Sequence, residues 1–149
     1  MERVADNMEK YENYKSKMER LKKAMASGFY LEAIAIEYAV IEDRIESVLR
    51  HSGKFNPNRH KSLDSKLNKL GDMRREKKSL ANKYFSEELL DSLYKWKNDK
   101  RNPLTHALLK LKLSDEELKE TAEQGKTLAY AFRDKANQHN RALKRQKKQ

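Results

Sequence analysis

The sequence contains no cysteine. Disulfides and thiolate metal sites are therefore excluded. Two prolines and four glycines are few chain breakers for 149 residues, and no strand or hairpin pattern is legible. No apolar run approaches the ~20 residues of a membrane-spanning helix. The opening Met1-Glu2-Arg3-Val4-Ala5-Asp6 does not read as a signal peptide. A cytoplasmic protein with no membrane partner is expected. Hydrophobic residues make up only 37% of the chain, and mean hydropathy is −1.10, low for a globule of this length. Pairing of two copies would help such a chain bury enough apolar surface. His51, His60 and His139 show no metal-ligand spacing and read as loop or surface residues. No metal or other cofactor is expected.

Positive charge is what the chain has in excess. The net charge is +11, and it is concentrated. Arg59 to Lys83 holds nine Lys/Arg against three acids, and Arg133 to the end holds seven against one. The remainder is nearly balanced. Such blocks attract polyanions and speed encounter with them. Arg141 to Gln149 has little to bury, so residues 141–149 read as a basic C-terminal tail behind a single domain at residues 1–140. In the inner block, Arg74, Arg75, Lys77 and Lys78 are candidate RNA-binding residues, joined by Lys100 farther along.

The periodicity is helical throughout. Val4, Met8, Tyr11, Met18, Leu21 and Met25 recur at three- and four-residue steps. Ser27-Gly28 either breaks this helix or is absorbed in it. Phe29 to about Arg50 carries Leu31, Ile34, Tyr38, Ile41, Ile45 and Val48 on one face, with alanines and further aliphatics covering most of the rest. A helix apolar nearly all round is a buried one, so this is the expected central helix. Ser52 to Asn58 is a loop. Leu63, Leu67, Leu70 and Met73 mark a third helix, and Leu89, Leu90, Leu93 and Trp96 a fourth. Leu104, Leu108 and Leu111 mark a short fifth starting at Pro103. Ser114-Asp115-Glu116-Glu117 is a capping box opening the last. The pattern predicts an all-α, antiparallel bundle of about five to six helices.

Arg101-Asn102-Pro103-Leu104-Thr105-His106 gathers the groups best suited to acid–base and phosphate chemistry. Proline suits the first helical position and disfavours helical backbone before it. Asn102 is thus expected as a non-helical N-cap, with the helix beginning at Pro103. Arg101 stands just outside and His106 about one turn in. A helix N-terminus attracts anions, a guanidinium matches phosphate geometry, and imidazole moves protons near neutral pH. The same six residues also fit a plain capped helix start with one more solvated arginine.

Arg101, four residues, then His106, with a polar residue directly after the arginine, resembles the signature of HEPN domains. Phe29 to Ile45, an apolar helix ending in the acidic pair Glu42-Asp43, is similar to the early helix of prophage and abortive-infection HEPN proteins. The likeness covers roughly Phe29 to Leu113. It implies a HEPN-like bundle forming a homodimer in which two Arg/His motifs share one composite site. It further implies a metal-independent endoribonuclease, of the toxin or antiphage-effector kind, with an antitoxin protein as a possible partner. Other members of that superfamily only bind RNA or nucleotides, so the fold alone does not settle activity.

The resulting expectation is cleavage through attack of the RNA's own 2′-OH. His106 acts as general base or acid, and Arg101 stabilises the charge developing on the phosphorane oxygens. Asn102 positions phosphate or caps the helix. On a helical wheel Glu37 and Glu42 flank the apolar stripe of the central helix, and Asp43 points away. A flanking acid either supports Arg101 and His106 or merely solvates the helix boundary; Glu42 is the first candidate for support. Two rival readings keep the fold and drop the chemistry: a non-catalytic RNA- or nucleotide-binding module, and a helical adaptor or antitoxin-type interaction protein.

Overall fold

Serine hydroxyls start four of the six α-helices bounded among the described residues of this computed structural model, which describes residues 7–103 and 114–148. The order is α1 (Asn7–Ser27), α2 (Tyr30–His51), α3 (Leu63–Arg74), α4 (Leu80–Tyr84) and α5 (Glu87–Lys95). A π-helical turn (Trp96–Arg101) and α6 (Asp115–Lys147) follow. No strand occurs among the described residues. Ser62, Ser79, Ser86 and Ser114 each accept a hydrogen bond from the backbone N–H three residues on. This satisfies a donor that the helix cannot satisfy itself. At Ser62 the bond is reciprocated by the Ser65 hydroxyl.

α1 and α2 end in the same way. Gly28 (φ +76°) and Gly53 (φ +67°) adopt the left-handed conformation. The N–H groups of Gly28 and Phe29 return to Met25 and Ala24, and those of Gly53 and Lys54 return to Arg50 and Leu49. Both are Schellman closures, for which glycine is the unstrained residue. Ser27-Gly28 therefore breaks the first helix.

The expected all-α bundle is the observed architecture, with α2 at its centre against α1, α3 and α6. α1 and α2 form an antiparallel hairpin, in which Arg20 bonds Glu32 and the Arg44 guanidinium lies over the Tyr14 ring. The second long pairing differs from expectation. Glu37 meets Gly125, Ser47 meets Asn140, and the His51 carbonyl meets Lys147, so α2 and α6 run in the same direction. The intervening helices carry the chain back to the end where α2 began. Leu21, Ile41, Ile45, Leu49, Leu70, Phe85, Leu93 and Phe132 are fully buried in the shared core.

A further expectation is corrected. His139 is not a surface residue: it is 2% exposed, packed near Phe85 and Tyr84. Its pKa is lowered by burial, against a hydrogen bond to Asn140. The stretch read as a basic tail is helical as far as Lys147, with Ala142 buried and Lys147 donating to the His51 carbonyl.

Candidate functional site: a π turn on the central helix

Leu89, Leu93 and Trp96 hold α5 against the core, and the helical winding then widens at the motif that carries most of the expected chemistry. The Asn102 N–H donates to the Lys97 carbonyl, five residues back. Asn102 itself has helical angles (φ −65°, ψ −45°). It is therefore not the extended N-cap expected before Pro103, and the helix does not begin there. Winding already under way in α5 propagates at one hydrogen bond per residue. The bias against helix before proline is only a preference, and a helix in progress overrides it. Of the short helix expected to start at Pro103, the residues from Leu104 on, His106 among them, lie outside the described residues.

The π turn decides what faces α2. On an α-helix Arg101 would stand roughly 140° round from Trp96. Winding with i to i+5 bonds brings such positions closer to one face. Trp96 is buried, and its Nε1 donates to the Thr121 carbonyl on α6 at 2.9 Å. One turn later the Arg101 guanidinium lies over the Tyr38 ring, 4.0 Å from its centroid. A guanidinium stacked on a ring has one face covered and its orientation held. Arg101 Nη1 reaches the Asn102 side-chain oxygen at 3.4 Å, and the Asn102 amide donates to Asn98 at 3.4 Å. These amides line the arginine with neutral groups that both donate and accept.

Around this arginine lies a network of alternating charge. Lys97 is buried and pairs with Asp64 at the start of α3. Lys66, also buried, donates to Glu42 at 2.7 Å and lies 3.3 Å from Glu46. Burial pushes the Lys66 ammonium down, but the hydrogen bond and charge of Glu42, with Glu46 behind it, hold its pKa above the ordinary value. Burial raises the Tyr38 phenol, opposed by the Arg101 charge. Glu42, the acid first expected to support Arg101, accepts a hydrogen bond from Lys66. Asp43 pairs with Arg44 at the surface and points away, as the helical wheel has it.

Glu37 proves to be the unusual acid. It is fully buried, and neither carboxylate oxygen has a hydrogen-bond partner among the described residues. Burial pushes its pKa up to about 9, against a weaker pull from Lys126. It sits in a notch made by Gly125 of α6. A Cβ at Gly125 would overlap the Glu37 carboxyl and the edge of the Trp96 ring. Glu37 and Trp96 thus share one contact, and Tyr38 and Arg101 share the next.

The inner basic block divides. Arg74 is half-buried and donates to the Phe85 carbonyl at 2.9 Å, while the Asn82 amide donates to the Arg74 carbonyl. Arg74 ties α3 to the end of α4 and is in part a structural residue. Arg75 pairs with Asp72 at 2.7 Å on the surface. Lys77, Lys78 and Lys100 are exposed. Sequence reasoning missed Tyr38, Lys97, Asn98 and Gly125. Tyr38 was legible only as a core residue of α2, and Gly125 carried one signal, a glycine in the middle of a helical pattern. Lys97 carried none, because its partner Asp64 is remote in sequence.

Compared with protein-family models, with curated proteins and with solved structures, the chain matches none. Among the described residues no group of three or more His, Asp or Glu could hold a metal ion, and no helix is long and apolar enough to cross a membrane.

Proposed function

We propose that the chain is a metal-independent endoribonuclease of HEPN type, acting as a homodimer on RNA. The observation that carries this reading is the placement of Arg101. The π turn seats it on Tyr38 among Asn98 and Asn102, where an ordinary surface arginine would be solvated. A pre-positioned guanidinium loses little freedom on meeting phosphate, which is the condition for electrostatic stabilisation of a transition state. In the proposed reaction the 2′-OH attacks the adjacent phosphorus and the 5′-oxygen leaves. The products are a 2′,3′-cyclic phosphate and a 5′-OH. Arg101 bears on the non-bridging oxygens, and His106 takes or returns the proton. Two copies supply two imidazoles, so one can act as base while the other acts as acid. A toxin or antiphage role, with an antitoxin as partner, is the biological setting this chemistry suits.

One observation favours a second reading, a non-catalytic RNA-binding module. Glu42, the acid first expected to support the site, is engaged by Lys66. The experiment is cleavage of a mixed RNA substrate in EDTA by wild type, Arg101→Ala and His106→Ala. Cleavage by wild type and loss of roughly 10²–10⁴-fold in the His106 variant are expected. RNA bound but left intact by wild type selects the second reading.

A further inference from the structure

A groove opens on the outer side of the same π turn, between α5 and α6, away from the Tyr38 contact. Its volume is about 510 Å³, within the roughly 300–1,000 Å³ typical of small-molecule sites. Trp96, Leu128 and the half-buried Ala131 give it an apolar floor. The floor is held in place, because the Trp96 indole is tied to the Thr121 carbonyl and wedged against Gly125.

The rim is polar and unequal. Lys95 and Lys100, five residues apart, both line the groove and are exposed. Among the described residues Asp99 is the single acid lining the groove. On α6, Gln124 offers an amide that both donates and accepts. The Thr127 hydroxyl donates to the Glu123 carbonyl at 3.2 Å, which leaves its oxygen able to accept.

These features select a ligand. An inorganic anion would use the lysines and leave the apolar floor uncovered. A purely apolar ligand would leave two ammonium groups unanswered. A flat heterocycle with hydrogen-bonding edges, joined to a phosphate, uses floor, amide and lysines together. Lys100 and Arg101 are chain neighbours, so the groove borders the turn that carries Arg101.

We propose that this groove is a nucleotide subsite, taking the base and phosphate of one nucleotide next to the phosphate met by Arg101. The choice of RNA as the source of that nucleotide rests on the function proposed above; the groove's shape and chemistry do not.

Trp96 is the chain's one tryptophan, so the groove contains its own reporter. Full-length protein is titrated with adenosine 5′-monophosphate while indole emission is followed, excited at the red edge of its absorption. Ribose 5-phosphate and inorganic phosphate serve as comparisons. A saturable change with the nucleotide, and little with either comparison, is expected. Ala131→Phe, which fills the floor, and Lys95→Ala, which removes an exposed charge, are each expected to weaken binding about tenfold. Circular dichroism verifies that both variants are folded. No response to the nucleotide, or an equal response to inorganic phosphate, overturns the subsite. A saturable response in a protein that cuts no RNA supports the subsite and counts against the ribonuclease reading. Cleavage without any response does the reverse.

Discussion

A buried carboxyl without a partner is expensive, and Glu37 has no hydrogen-bond partner among the described residues. In the unfolded chain it titrates near the ordinary 4.5, and in the fold near 9. Between those values the unfolded chain has lost the proton that the fold retains. Stability from this group is therefore full below about pH 4.5 and is lost as pH rises toward 9. One such proton gives a slope of at most about 1.4 kcal/mol per pH unit. Glu37→Gln removes the titration and nearly keeps the shape. Urea unfolding at a series of pH values is expected to show a flatter profile for the variant and greater stability than wild type at pH 8. Equal slopes would contradict the burial of Glu37. The opposing glycine gives a second test. In an ordinary helix, glycine to alanine gains about 1 kcal/mol. Gly125→Ala is expected to reverse that sign and cost about 1–3 kcal/mol by overpacking, because the new Cβ overlaps Glu37 and Trp96. A stabilised variant would mean that the notch does not exist.

At the scale of elements, the helices were legible and their ends only partly so. The apolar periods of α1, α2, α3 and α5 stand in the sequence because one face of each meets the core. Ser114 was readable as a cap, since three acids follow it. Ser62, Ser79 and Ser86 perform the same task without that flag, and α4, five residues long, has too short a period to read. The π turn was invisible. Its local mark, Asn102-Pro103, argues for a helix start, whereas the structure continues a helix already running. Local rules lose there because cooperativity and the Trp96 anchor outweigh a one-residue preference. Ser79 does double duty, accepting from Asn82 and donating to the Met73 carbonyl. Ser79→Ala is expected to cost about 1–2 kcal/mol in thermal or chemical unfolding, near the upper end for a helix cap. A change under a few tenths would show that α4 contributes little.

Across the whole molecule, charge and fold class were the most legible properties and the assembled site the least. The two basic blocks are contiguous in sequence, so counting finds them. Which of their cations face solvent is a matter of tertiary structure: Lys66 turns inward to Glu42 and Glu46, and Arg74 turns to a backbone carbonyl. The site likewise depends on pairings between residues far apart in the chain, such as Tyr38 with Arg101 and Asp64 with Lys97. Neutralising Arg75, Lys77 and Lys78 together is expected to weaken RNA binding. On single-stranded RNA the log–log salt slope should become shallower by about 0.7 for each phosphate that the variant no longer neutralises. An unchanged slope would remove residues 75–78 from the binding surface.

The central claim is that Arg101 and His106 cut RNA by way of its own 2′-OH. Its most direct measurement is an end analysis on a defined RNA in EDTA, beside the same RNA carrying a single 2′-deoxy sugar at the cut. Wild type is predicted to leave a 2′,3′-cyclic phosphate and a 5′-OH on the first substrate, and the second intact. Cleavage at the deoxy position, or products ending in a 5′-phosphate, would contradict the account.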